Sequence, residues 1–460
     1  MSPQELVEHA LAASTADDCV VIVRDTTSAN LRWANNTLTT NGQMSNRSAT
    51  VLSFVASGDG TAAASTSGSA TTADEIDEIV RAADAAARMA EAAEDANPLV
   101  RERTSPDWDE PAVPTDITVF DDVAPALGEA FGRAGAAGRL LYGFVDHEVA
   151  TTYLGSSTGL RLRHAQPTGH IACTAKDTAL TTSAWYGAAT NDFSDVDPLA
   201  IDDELARRLA WAQRRVDLPA GRYDTILPPT AIADLMVDTY WYAGARDAWE
   251  GQSVYSQRPT GTRIGERITA PGVHLTSDPI LPDIWCAPFA VVGSSNSESS
   301  VFDNGLALGR TAWIDDGRLT SLIQTRLTSR MTEQPVTPYV DNLVLEVDGA
   351  AGTIDDLVAG TERGLLLTCL WYIREVDPQS LLLTGLTRDG VYLVENGEIT
   401  GEVNNFRFNE SPIDLLNRFT HASTTQPSFS REWGDDYFSR TATPALRVPD
   451  FNMSSVSQAH

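Results

Sequence analysis

Basic residues are scarce in this 460-residue chain: 33 Lys and Arg stand against 63 Asp and Glu, a formal net charge of −30, with an isoelectric point near 4.4. Lys176 is the only lysine, a bias to which no mechanistic role is assigned. Nucleic acid and anionic membranes need clustered cations that release counterions, so neither is expected as a partner, and the charge reads first as solubility. Long apolar runs are missing too, none approaching the roughly 20 residues a bilayer crossing takes. The opening MSPQELVEHALAAS is acidic and amphipathic, without the basic start, apolar core and cleavage site of a secretory signal, which points to the cytoplasm. Cysteine is sparse. Cys19, Cys173, Cys286 and Cys369 lie far apart with no C-x-x-C pair, the pattern of four buried, reduced thiols. H-E-x-x-H, H-E-x-x-x-H, G-x-S-x-G and G-x-x-x-x-G-K-[ST] are all absent, and Gly58-Asp59-Gly60 offers too few glycines for a nucleotide loop.

What is present suits a soluble globular protein: 42% hydrophobic and 21% charged residues, over a length that accommodates two domains. The expected class is α+β, with an N-terminal α/β domain at 1–218, built of a sheet and long covering helices, and a C-terminal β-rich, barrel-like domain at 219–460. A helix is predicted over 3–13, then strands at 19–24, 28–34 and 49–56, with Asn35-Asn36 and Asn41-Gly42 as turns. A long helix over 73–94 carries Ile76, Ile79, Val80, Ala83, Ala87 and Ala90 on one face and acids in its first turn, as the helix dipole favours. An extended connection over 97–114, a helix over 121–137, short strands over 139–186 and a helix over 198–216 follow. In the second half the hairpin signals are strongest: Asp315-Asp316-Gly317 between 305–314 and 319–327, and Asn396-Gly397 between 391–394 and 398–403. The polar run GSSNSESS at 293–300 reads as a mobile loop or lid.

Two groups of residues invite chemistry. His164 and His170 are expected to meet across a hairpin at 166–169, with Asp146, His147 and Glu148 on another turn, a candidate metal group without a fixed third ligand. The other is TAIADLMVDTYWYAGARDAWEGQSVY at 230–255, preceded by Pro228-Pro229 and capped by Thr230. It is predicted to be a helix with one buried face, stopped at Gly251.

That segment resembles the metal-binding helix of the TldD/PmbA (TldE) peptidase family, whose catalytic members carry H-E-x-x-x-H-x-x-E-G-D. Alignment on Glu250-Gly251 places Tyr242 and Asp247 where the zinc histidines stand and Ala243 where the catalytic glutamate stands. A hydrolytic zinc needs about three ligands, an open water position and a base. A protonated phenol is a poor ligand and alanine no base. Histidines five apart also lie roughly 140° apart on an ideal helix, so the motif needs a widened turn that this chain has no reason to keep. The late zinc-ligating cysteine of catalytic relatives is missing as well, since Ser430-Arg431-Glu432-Trp433-Gly434 has no thiol. Further likeness comes from NLRWANNTLTTNG near the N-terminus, from the runs 342–345, 352–357 and 362–368, from the hairpin GVYLVENGEI at 390–399 with Gly401-Glu402-Val403, and from PALRV at 444–448.

The resemblance implies the metal-free TldE/PmbA branch: a cytoplasmic subunit with no catalytic or metal residues of its own. The degenerate positions Tyr242, Asp247, Glu250 and Gly251 would remain as peptide contacts. Zinc would reside in a TldD-like zinc peptidase partner, the two forming a dimer or higher oligomer that digests flexible or modified peptides. An extended peptide could add to a β-edge of the second domain. Two other readings stand beside it: an autonomous hydrolase using Asp247 and Glu250, or the His164/His170 group with His274 as a further candidate, and a stand-alone peptide-binding module.

Overall fold

The computed structural model describes residues 1–434 and 440–457. The first element, helix Pro3–Ala13, begins at a capping box between Ser2 and Glu5 and buries Leu6, Val7 and Ala10. It rests on a seven-stranded sheet whose core is antiparallel, in the order Gly60–Ser69, Thr37–Ser57, Asp18–Ala34, Arg139–Ser156, Leu160–Asp177, with Ser183–Thr190 and the short Arg103–Thr104 also paired to the last of these. Strand alternation assigns the two faces. Odd-numbered Val21, Val23, Leu31, Val145 and Ile171 lie under helices Pro3–Ala13, Ala73–Met89, Val123–Ala136 and Pro198–Trp211. On the even face, Val20, Ile22, Leu154 and Leu162 pack against Phe289, Val301 and Phe302 of the second half. Farther along that face the side chains become polar and line a cleft.

The second half holds a closed five-stranded barrel running Arg363–Asp377, Gly221–Leu227, Leu446–Val456, Phe406–Glu410, Leu382–Glu395 and back to the first, with Glu398–Val403 and Arg215–Val216 as an extension. A six-stranded sheet lies beside it, ordered Arg318–Leu319, Thr311–Asp315, Val273–Ser277, Leu343–Val347, Thr441–Thr443, Gln426–Ser428. Between barrel and sheet runs the helix Pro229–Trp241, buried at every position from Ala231 to Tyr240. The expected α+β architecture with a barrel in the C-terminal half is what the chain adopts.

Several local expectations are corrected. Asn35-Asn36 is a tight turn with φ of 51° and 59°, but Asn41-Gly42 continues the strand Thr37–Ser57, paired with Leu31 and Asn30. Once one Asn pair closes the hairpin, the second has ladder partners and no turn to make. The segment 166–169 is likewise no hairpin: Leu160–Asp177 is one strand, paired from Arg161 to Asp177 with Arg139–Ser156. Pro167 is tolerated because it lies past the end of the neighbouring Ser183–Thr190 strand, whose last pair is Gly169 with Thr190, so no ladder bond is asked of its nitrogen. Helices expected to reach 94 and 216 end at Met89 and Trp211. The strand expected over 319–327 shrinks to Arg318–Leu319, and Thr325 caps a short helix, Arg326–Thr332.

Candidate functional site

The cleft between the polar part of the first sheet and the second half has a volume of about 650 Å³. Its floor is set by register. Arg24, Thr152 and His164 form one row across three strands, after which two strands carry the floor: Ala150 with Gln166, then Glu148 with Thr168, and last Asp146 with His170. The roof brings Phe289, Ala290, Glu298, Tyr339, Asp341 and Arg440. Arg440 closes one side, ion-paired with Asp341 and donating to the Thr168 hydroxyl at 3.1 Å.

The two histidines therefore share this floor without meeting. They stand six residues apart on one strand, roughly 20 Å at the rise of a strand. His164 shares a 3.0 Å hydrogen bond with Gln166 Oε1, and burial depresses its pKa. His170 stacks on Phe429 at 5.5 Å. His147 points to the other face, between the Thr115 hydroxyl at 2.7 Å and the Asn191 carbonyl at 2.7 Å, and burial lowers its pKa too. The proposed turn at 146–148 is mid-strand, and alternation sends His147 away from Asp146 and Glu148. His274 lies on Val273–Ser277, held by Asp315 at 2.8 Å and Asp348 at 3.4 Å. The expected histidine group does not assemble. All four cysteines are buried, and burial pushes each thiol up to about 12, far from a nucleophile's range.

The helix that was to carry the degenerate metal motif breaks inside it. Pro229–Trp241 ends with Tyr242 as its C-terminal cap, and Ala243 and Gly244 are extended against Ile323, whose backbone bonds to Ala243 and Ala245 at 2.8 and 3.0 Å. Only then does the five-residue helix Ala245–Trp249 begin. The expected single helix up to Gly251, with one buried face, is thus two helices, the first buried all round. Gly251 does end the second, at φ +83°. Tyr242 faces Glu375, and burial followed by that contact raises its pKa. Asp247 sits on the second helix near Glu298 and Glu250, its pKa raised by burial and then by Glu250. Glu250 pairs with Arg246 at 3.1 Å, which also holds Glu94 at 3.0 Å. A phenol turned to a carboxylate, an alanine and an aspartate on a separate helix do not fit a hydrolytic zinc.

The loop 293–300 is packed down. Asn296 Oδ1 accepts from the Glu298 and Ser299 amides at 2.8 and 2.9 Å, and Ser295 donates to Asp95 at 2.6 Å. Glu298 lies against the helix break, where a Cβ on Gly244 would stand 2.9 Å from its Oε1. Burial, then Asp247, raises its pKa to about 7.

Acids on the buried helix escaped the sequence reading. Asp234 accepts from the Ser430 hydroxyl at 2.6 Å and the Glu432 amide at 2.9 Å. Asp238 accepts from the Trp433 indole at 3.2 Å. Glu432 in turn accepts from the Tyr372 and Ile373 amides at 2.9 and 3.0 Å. Burial raises Asp234 well above the usual carboxylate range and Asp238 to about 7. The segment 430–434, where the late cysteine of the catalytic pattern was sought, thus docks a turn or more before Tyr242. The available signal was two aspartates spaced i, i+4 within an otherwise apolar helix.

A closed barrel beside a second sheet, joined across a cleft to a helix-covered antiparallel sheet, defines the architectural class. Residues 220–455 match the PmbA/TldA metallopeptidase C-terminal domain and residues 19–90 match PmbA/TldA metallopeptidase domain 1. The chain belongs to the TldD/PmbA/TldE family. No curated protein sequence matches it. Among solved structures it is similar to TldE from Thermococcus kodakarensis, with a TM-score of 0.74 and 14% identity over 98% of this chain and 99% of that one. A Thermotoga maritima protein described as a candidate modulator of a DNA gyrase gives 0.76 and 16% over 98% and 99%. A similarly described Bacteroides thetaiotaomicron protein gives 0.74 and 16% over 99% and 98%. At such identities the likeness is one of fold.

Proposed function

We propose that the chain is the TldE-like, non-catalytic subunit of a TldD/TldE-type metallopeptidase acting on flexible or modified peptides. A TldD-like partner would supply the zinc and the glutamate that moves the proton. The observation that carries this reading is the helix break at Tyr242–Gly244 within a chain of this family. Where catalytic relatives need convergent donors and a base, this chain has Tyr242 turned to Glu375, a buried Ala243 and an Asp247 displaced onto another helix. What it retains is a large cleft and a fold that spans 98–99% of the length of the solved structures it resembles, which suit a subunit that shapes a shared substrate space. Among the described residues no helix is long and apolar enough to cross a membrane, in keeping with action in an aqueous compartment such as the cytoplasm.

The test is reconstitution. The purified chain is expected to hold no stoichiometric zinc by elemental analysis, to leave an unstructured peptide intact, and to co-elute with a TldD-like chain of the same genome at micromolar concentration. Cleavage should begin when that partner is added and vanish when the partner's glutamate is changed to alanine, a loss of about 10²–10⁴-fold for the proton transfer alone. Asp247→Ala or Glu250→Ala here should cost at most roughly tenfold. Separate elution, near one zinc per chain after dialysis, or metal-free cleavage by this chain alone that is lost in those variants would overturn the proposal.

A further inference from the structure

The cleft carries opposite charges at separate places on its floor. Arg24 stands in the row of Thr152 and His164, whereas Glu148 stands two rows farther along, beside Thr168. Four residues of strand separate the two rows, about 13 Å. Among the described residues neither side chain has an ion pair or a hydrogen bond, although both are charged groups facing a confined space. Burial and then Asp146 raise the Glu148 pKa while Arg24 works the other way, and Asp341 across the cleft, raised by burial, is drawn down by Arg440 and, more weakly, by Arg24. Between the poles the floor is uncharged, with Ala150 and Gln166, and the roof combines the apolar Phe289 and Ala290 with the mutually paired Asp341 and Arg440.

A ligand matched to this arrangement has an anion at one end, a cation at the other and a small uncharged middle. Along these rows Asp18–Ala34 and Arg139–Ser156 are hydrogen-bonded to neighbours on both sides, and Leu160–Asp177 to Arg139–Ser156, so a ligand lying on this sheet face is recognised by its ends. About three extended residues measure about 10 Å, a length that two long side chains standing on rows about 13 Å apart can hold by its ends. We propose that this cleft takes a short free peptide, binding its terminal carboxylate at Arg24 and its terminal ammonium at Glu148. Arg24 offers a planar fork that matches a carboxylate. Glu148, an acceptor only, matches an ammonium. The neutral state expected of His164, whose pKa burial lowers, leaves Arg24 the cation of its row. The proposal rests on the peptide-handling reading given above, but it concerns this chain's own cleft and is read out without the partner.

The test is calorimetric titration of the purified full chain with trialanine, N-acetyl-trialanine and trialanine amide. Free trialanine is expected to bind saturably, and each cap to weaken binding about tenfold or more. Arg24→Gln should erase the discrimination against the amide while keeping that against the acetyl cap, and Glu148→Gln should do the reverse. Both positions are exposed on the floor, and an unchanged melting temperature checks each variant's fold. Equal binding of capped and free peptides, no saturable heat at millimolar trialanine, or variants that lose affinity without switching cap preference would overturn it. A chain that associates with a TldD-like partner yet ignores trialanine removes this inference and keeps the subunit reading. Cap-sensitive binding by a chain that never associates does the opposite.

Discussion

At the scale of single residues, the buried acids of the Pro229–Trp241 helix set the chemistry that the fold must accommodate. Asp238 is 4% exposed, and its pKa, raised by burial from 3.8 to about 7, makes it protonated in the folded chain at mildly acidic pH. A carboxyl that holds its proton more tightly when folded favours the folded state below the unfolded value, and that contribution is lost as pH rises through the folded value. The interval from 3.8 to about 7 corresponds to about 4 kcal/mol. Asp238→Asn keeps an acceptor for the Trp433 indole and removes the titration, so the fall in melting temperature between pH 5 and pH 8 should be smaller in the variant, which should be the more stable protein at pH 8. Parallel pH profiles of the two proteins would refute this. A second test concerns Glu298, whose pKa of about 7 owes its second contribution to Asp247. Asp247→Asn should bring it closer to the usual carboxylate range, followed by carbon-detected NMR titration. The sequence showed these aspartates only as polar letters in an apolar helix. That the helix is buried on every side depends on a barrel and a sheet closing over it, and no local period carries that information.

At the scale of elements, turn chemistry was legible wherever the flanking strands agreed with it. Asn396-Gly397 closes its hairpin with φ of 54° and 81°, as its sequence predicts, and Asp316-Gly317 does so at 45° and 74°. Asn41-Gly42 and 166–169 carry similar signals and are strand, because pairing with a long neighbour satisfies their backbones and the local preference is overridden. The same long-range pairing separated His164 from His170 and turned His147 to the opposite face. Glycines record such constraints differently. A Cβ on Gly143 would lie 2.2 Å from the Ala172 carbonyl oxygen and 2.6 Å from the Trp33 ring, whereas one on Gly128, in the helix Val123–Ala136, meets nothing within 4 Å. Gly143→Ala should therefore cost about 1–3 kcal/mol through forced displacement of backbone and ring. Gly128→Ala should gain about 0.5–1 kcal/mol from helix propensity and a less flexible unfolded chain. Urea titrations giving equal effects for the two would contradict this account.

At the scale of the whole molecule, the first sheet and the barrel are held in one arrangement by a cation between aromatic rings. Arg431 lies 4.5 Å from the ring centre of Trp185, on the first sheet, and 5.1 Å from that of Trp371, on the barrel. It donates to Asp389 at 2.7 Å and contacts the Cys369 sulfur. Asp389 accepts in turn from the Ser183 hydroxyl at 2.9 Å, so the contact spans both halves. The Arg431 and Asp389 side chains are 12% and 10% exposed. Removing one member of so buried a pair leaves the other charge uncompensated, typically a loss of about 3–5 kcal/mol. Arg207 with Asp355, 45% and 65% exposed and also linking the two halves, provides the control, for which an exposed ion pair predicts at most about 1 kcal/mol. Arg431→Met retains an apolar stem between the tryptophans, so its loss isolates charge and hydrogen bonding from ring packing. Calorimetry should show one transition in the wild type. In Arg431→Met it should move to lower temperature or divide in two as the halves lose their coupling, while Arg207→Ala shifts it little. A transition in Arg431→Met unchanged within the shift of Arg207→Ala would place the coupling elsewhere. Other links between the halves, such as Arg440 to Thr168 and the Asn191 amide to the Asp283 carbonyl at 2.8 Å, would then be the ones to cut next.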